Sequence, residues 1–271
     1  MNYHKFTIGK YECVALKDSS KEIPLIKQFP QVVETDLMAA LAECGLNEMK
    51  PTVGFNCLYI NTGFHKIMID CGYADQQLEQ SMQAAGIRYE DINAVLITHG
   101  DGDHIGGISK FPNAQFYIPE KAYQLWTTEK GQQQMISEFE SVFKHILPPE
   151  VLPKKLAGRL KYGTELLPSI KDRLHLIDTR RPIFSGIKMI DAFGHRSDHY
   201  AVEIESNEQT LLHVVDAFRH PIQVLHPEWY SFVDSYPEQT IKTIEALLKR
   251  ANEKKAIIFG AHFEFPGVLK K

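Results

Sequence analysis

The sequence predicts an α/β protein with a layered core, on three observations. Residues 53–72 read as two apolar strands around the turn Asn61-Thr62-Gly63. Leu78, Met82 and Ala85 then recur near helical spacing within 74–85, and Val95-Leu96-Ile97 follows as a short buried strand. Towards the C-terminus the alternation returns, as a helix over 237–251 and an apolar strand over 256–261. Strands alternating with helices in this way stack helices on a sheet.

The remaining elements follow in order. Residues 5–17 alternate through Phe6, Ile8, Tyr11, Cys13 and Ala15, which predicts a hairpin turning at Gly9-Lys10. Residues 36–44 put Leu37, Ala40, Leu41 and Cys44 on one helical face, with Gly45 as the stop. Gly86 ends the 74–85 helix as a residue free to turn left-handed. Phe116 to Pro119 is another short strand, and 120–170, with Tyr123, Trp126, Phe139, Phe143 and Tyr162 among lysines and prolines, reads as helices separated by loops. Residues 174–204 alternate as strands around Gly186, and Leu211 to Asp216 is an apolar strand ending in an acid. Pro237 and Glu238 open the last helix, whose apolar stripe is Ile241, Ile244, Leu247 and Leu248.

With 271 residues and no internal repeat, low-complexity tract or linker, the chain is expected to form one domain over 1–271. A net charge of −4 provides no general basic field for nucleic acid or an anionic membrane. Cys13, Cys44, Cys57 and Cys71 are widely spaced, which reads as reduced thiols rather than a disulfide framework or a zinc finger. There is no apolar leader and no run approaching the roughly 20 apolar residues of a membrane helix, so a cytoplasmic protein is expected.

The chemistry concentrates in 95–107. After the buried strand, His99, Asp101, Asp103 and His104 fall within six positions, interleaved with Gly100, Gly102, Gly106 and Gly107. Two imidazoles and two carboxylates on a glycine-rich turn suit a divalent metal, and the glycines give the backbone freedom to bring them together.

The stretch resembles the metal-binding signature of the metallo-β-lactamase superfamily, His-x-His-x-Asp-His followed by Gly-Gly, with Asp101 in the place of the second histidine. Other segments match the family in its order. Ile69-Asp70-Cys71-Gly72 resembles its first motif, and Gly194-His195 through His199 its third, with Asp198 in place of a glycine. Asp216 stands where the family's bridging aspartate stands, after Val215 instead of a glycine, and His262 follows the last strand. The stretch from Ala261 to Gly267 resembles the methyl parathion hydrolase-like and lactonase-like branch.

The resemblance implies a four-layer αββα sandwich of two mixed sheets. It implies an N-terminal excursion over about 18–52 at the mouth of the site and a helical insertion over about 120–170 that shapes the pocket. It further implies that His99, Asp101 and His195 hold one metal, that Asp103, His104 and His262 hold another, and that Asp216 bridges. Asp70 and His199 would support these ligands from behind. Two divalent ions, zinc first with manganese or iron admitted, would activate a hydroxide against a small ester, lactone or phosphoester. Asp103 and Asp216 are then the catalytic acids, with Asp103 managing the proton. The substrate would be a small molecule, with no nucleic acid or membrane partner expected and a homodimer left open.

Asp101 makes the site less positive than a histidine would, which favours harder ions. Being shorter, it requires the first metal to shift inward, to bind through water, or to be absent. A non-hydrolytic iron redox protein, or a ligand-binding module on the same fold, is the alternative. Arg219, His220 and Tyr123 are further pocket candidates.

Overall fold

Strand β1 (Tyr3–Ile8) and strand β2 (Tyr11–Glu22) form the expected hairpin, with Gly9 left-handed at φ 56° in its turn. The computed structural model describes residues 1–73 and 76–269; Ala74 and Asp75, at the start of the helix expected over 74–85, lie outside them. The described part of that helix is Gln76–Ala85.

Among the described residues, β1 and β2 are followed in one sheet by β3 (Thr52–Asn61), β4 (Lys66–Ile69), β5 (Ala94–Leu96), β6 (Gln115–Pro119) and β7 (Leu174–Ile177), hydrogen-bonded in chain order. Pairing is antiparallel up to β4 and parallel from β4 to β7. A second sheet comprises β8 (Ile187–Asp191), β9 (Tyr200–Ser206), β10 (Gln209–Val215), β11 (Ile257–Gly260) and β12 (Val268–Leu269), in the order β12-β11-β10-β9-β8. Only β10 and β11 run parallel there, and the helix Pro237–Glu253 is the crossover that parallel pairing requires. The two-residue strand β12 has too little apolar pattern to be read from sequence.

The alternation of β9 fixes the layers. Tyr200, Val202 and Ile204 face the first sheet, in a core shared with Leu16, Leu58 and Ile60. Ala201 points the other way and packs with Ile244, Leu247 and Ala251 of the crossover helix. The helix Gln76–Ala85 lays Leu78, Met82 and Ala85 on the first sheet, so helices cover both outer faces. This is the α/β sandwich of two mixed sheets that the sequence predicts.

β2 runs on to Glu22, so the N-terminal excursion begins later than the expected residue 18. Its helix Glu34–Glu43 and the turn Leu25–Gln28 bury Leu25, Phe29, Leu37 and Leu41 against Ile222 and Trp229. The 120–170 insertion folds as the helices Glu120–Thr127, Glu129–Phe143 and Leu152–Lys161, then a wide helical turn over Tyr162–Leu166. Among the described residues no helix is long and apolar enough to cross a membrane.

Glu203 shares the helix-facing side of β9 and is 1% exposed. It accepts from Arg250, from Lys188 at 3.1 Å and from Lys254 at 3.2 Å, which ties the crossover helix to its sheet. Burial opposes its charge, but hydrogen bonds from Arg250 and Lys188 outweigh it and lower its pKa from 4.5 to about 2. Such a carboxylate stabilises the fold above its ordinary pKa and loses that contribution as pH falls towards the folded value. Glu203→Gln is therefore expected to destabilise the protein at pH 7 by about 2 kcal/mol. The gap in thermal midpoint between wild type and variant should narrow as pH drops from 4.5 towards 2; a gap that stays constant with pH would refute the assignment.

Candidate metal centre

Four chain segments end at one edge of the sandwich and deliver the site. Beyond β5, the expected loop winds into a helical turn, Gly102–Ile105, with Asp101 at its start. His195, Arg196, Asp198 and His199 come from the β8–β9 connection, Asp216 from the end of β10, and His262 from just beyond β11. The glycines of the first segment serve close approach rather than left-handed backbone, since none of Gly100, Gly102, Gly106 and Gly107 has a positive φ. A Cβ on Gly100 would stand 2.8 Å from the Trp126 ring, and one on Gly107 2.3 Å from the Cys71 carbonyl oxygen.

Val215, in the place of the family's glycine, is itself left-handed at φ 53°, and the β10–β11 register shifts beside it. A β-branched residue held there stores strain of order 1–3 kcal/mol. Full burial of the Val215 side chain offsets this by a similar amount, about 1.5–3 kcal/mol.

The predicted residues converge in two ligand groups, overlapped by a third of His99, His199 and Asp216, and in each the ligand atoms lie within 4.8 Å of one another. In the first, Asp103, His104, Asp216 and His262 meet. His262 Nε2 is 2.9 Å from Asp216 Oδ2 and 3.5 Å from Asp103 Oδ2, and His104 Nε2 is 3.1 Å from Asp216 Oδ1. In the second, His195 Nε2 stands 3.4 Å from Asp101 Oδ2 and His99 Nε2 3.9 Å from it. Asp216 connects the two, with His195 Nε2 at 3.4 Å and His99 Nε2 at 4.0 Å.

Each imidazole is held from behind by an oxygen. His104 Nδ1 donates to Asp70 Oδ2 at 2.7 Å, His195 Nδ1 to Asp234 Oδ1 at 3.0 Å, and His262 Nδ1 to the Gly54 carbonyl at 2.9 Å. A carboxylate or carbonyl oxygen can only accept, so Nδ1 carries a proton and Nε2 is the nitrogen that faces inward, the one that would bind a metal once deprotonated. Asp70 is fixed in turn by the Thr98 N–H at 2.8 Å and the Thr98 hydroxyl at 2.7 Å. His199 differs. Its Nδ1 donates to the Ala192 carbonyl at 2.7 Å and its Nε2 accepts from the Asp216 N–H at 3.1 Å, so both nitrogens are engaged and it supports Asp216.

Three buried atoms at the centre, His99 Nε2, His104 Nε2 and Asp216 Oδ1, lack a well-directed hydrogen bond among the described residues. Burial and the nearby His104 hold the His99 pKa well below the usual value, leaving it a neutral donor of its lone pair. Burial pulls His104 the same way, but Asp216, Asp103 and Asp70 outweigh it and raise its pKa well above normal. Here the positive charge that the acids demand is a proton on His104, and a divalent cation would take that proton's place, so Asp103, His104, Asp216 and His262 fit such a cation. Asp101 is different, because its carboxylate already accepts from Arg159 and Arg196.

The family model described as the Metallo-beta-lactamase superfamily matches residues 53–262. The chain belongs to the metallo-β-lactamase superfamily. Among solved structures it is similar to AidC, a dizinc quorum-quenching lactonase in complex with a product, at a TM-score of 0.84 and 24% identity over 98% of this chain and 92% of that one. The lactamase-like protein adaB of Aspergillus niger is 29% identical over 124 residues, 44% of this chain and 36% of the relative. A probable metallo-hydrolase of Mycobacterium tuberculosis is 26% identical over 147 residues, 54% of this chain and 42% of the relative. The matches thus span well under half the length of these two relatives.

Within this superfamily member, several residues at the centre escape the family pattern. Arg159, Asp234 and Trp126 sit in segments without motifs, and Arg196 is adjacent to a motif histidine with nothing in sequence to mark it. Asp198 exchanges the family's glycine for a clasp. Its Oδ2 accepts from the Gly100 N–H at 3.0 Å and from Trp126 Nε1 at 2.6 Å. Of the other pocket candidates, Arg219 donates to Asp216 Oδ2 at 2.6 Å, His220 caps the short turn Pro221–Val224, and Tyr123 packs against the main core. Asp70→Asn keeps the shape and the tolerance for the left-handed backbone at that position, φ 63°, but removes the anion behind His104. Zinc affinity, measured by chelator competition, is expected to fall 10- to 100-fold; an unchanged affinity would show that the contact does not orient His104.

Proposed function

We propose that this chain is a metal-dependent hydrolase acting on a small ester, lactone or phosphoester. One observation carries the reading: imidazole groups braced from behind and carboxylates turn their inner nitrogen and oxygen atoms on one point, where His99 Nε2, His104 Nε2 and Asp216 Oδ1 lack a hydrogen-bond partner among the described residues. The ion it requires, zinc first, would be held by Asp103, His104, Asp216 and His262. A divalent ion in such a place supplies a water acidified towards neutral pH and polarises a carbonyl or phosphoryl oxygen.

The side chains divide the remaining work by exposure. Asp216 is 2% exposed, whereas 15% of the Asp103 side chain reaches solvent, so Asp103 is the acid that an incoming substrate meets and the one placed to take up and release a proton. Phe55 stands edge-on to His262 with ring centroids 4.9 Å apart, and Tyr73 packs on Phe55 at 5.5 Å. These rings form an apolar wall beside the acids, suited to the acyl or alkyl part of a small ester. The lactonase and metallo-hydrolase among the similar proteins support the same reading.

Turnover of a panel of lactones, aryl esters and phosphoesters tests it, with wild type and His104→Ala compared after zinc loading. Wild type should hydrolyse a member of the panel, and the variant should lose roughly 10³-fold or more in kcat/KM together with its bound metal. Equal turnover by the two would overturn the site assignment.

A further inference from the structure

Asp101 is surrounded by cations of the protein's own. Its Oδ1 accepts from Arg159 at 2.6 Å and from Arg196 Nε at 3.3 Å, and its Oδ2 from the second Arg196 nitrogen at 2.8 Å. Both arginines are buried. Arg196 is further anchored by donating to the His195 carbonyl at 2.7 Å and the Val233 carbonyl at 2.6 Å. The helix Glu129–Phe143 supplies seats for both guanidiniums. Arg159 lies over the Phe139 ring at 4.9 Å and Arg196 over Phe143 at 5.7 Å, and the two rings stack at 4.3 Å.

Charge then separates the two ligand groups. At Asp101, two guanidiniums already occupy both oxygens of the one carboxylate, with Asp198 beside Arg159 and Asp234 behind His195, so its charge is met before any metal arrives. At Asp216 and Asp103, two carboxylates share the single guanidinium of Arg219, and the remaining positive charge is a proton held on His104, which a metal would displace. A divalent cation at His99, Asp101 and His195 would have to displace charge-assisted hydrogen bonds from a carboxylate whose two oxygens are both occupied, and do so beside two buried positive charges.

We propose that this chain binds a single divalent cation, at Asp103, His104, Asp216 and His262, and that the Arg159–Arg196 pair on Asp101 stands in place of the second. The proposal rests on the hydrolase reading above. It also explains why an aspartate replaces the family's histidine: two buried guanidiniums need an anion between them, and a neutral imidazole would leave them unpaired.

The test counts metal. Protein dialysed against excess zinc and then washed is measured by mass spectrometry for equivalents per chain, for wild type, His262→Ala, His195→Asn and the double variant Arg159→Met/Arg196→Met. One equivalent in wild type, lost in His262→Ala and kept in His195→Asn, is expected. The double variant should gain a second equivalent if its circular dichroism melt shows a folded protein; a folded double variant that stays at one overturns the role given to the arginines. Should it not fold, the wild-type count and the two histidine variants still decide. Two equivalents in wild type would overturn the single-ion proposal and leave the hydrolase standing. No metal in wild type would overturn both.

Discussion

A carboxylate buried to the extent of Asp216 is tolerated only where positive charge or donors meet it, and the centre is arranged around that requirement. Isolated, its charged form would be strongly disfavoured by loss of water. Here His262, His104, His195 and Arg219 all approach it, and His199 fixes its backbone N–H. Burial works against ionisation, yet His262, His104 and Arg219 hold its pKa well below the usual carboxylate range. The same demand makes the site receptive to a cation. Each feature around it, from the left-handed Val215 that turns the chain to the strands that end together at one edge, places that carboxylate among its partners.

Much of this was legible in the sequence. Strand and helix periodicities gave an α/β-layered core, the family resemblance carried by the motifs gave the two mixed sheets, and the order of those motifs gave the residues that converge. His99, Asp101, Asp103, His104, His195, Asp216 and His262 all reach one centre, with Asp70 and His199 behind them. What could not be read is what depends on tertiary approach. Arg159 is 58 positions from Asp101 in the chain, and Trp126 is 72 positions from the Asp198 that it clasps. A helix of the insertion shows its apolar stripe in sequence, but which polar residue it aims into the centre follows only from how its neighbours seat it.

The reading of the glycines shows the same limit. A glycine-rich turn suggests unusual dihedral angles, whereas here Gly100 and Gly107 are needed because Trp126 and the Cys71 carbonyl press against them. Sequence marks where a side chain is excluded. It does not say whether torsion or proximity excludes it.

The departures from the family pattern share a cause. Asp101 for histidine is matched by Arg159 of the insertion and Arg196 of the third motif. Asp198 for glycine is matched by Trp126, also of the insertion, whose indole N–H it accepts while gripping the Gly100 backbone. In both places a residue that would be out of keeping alone is paired with a buried partner brought by the 120–170 helices. The insertion and the motifs are therefore coupled: a buried Arg159 without Asp101 would be an unpaired charge, and Asp198 without Trp126 would be an anion short of a donor. Val215 is the exception, since its strain is balanced within its own strand by burial of its side chain. Replacing a motif residue by the family's usual choice thus reverts one half of a pair, and its effect has to be judged with the insertion partner in view.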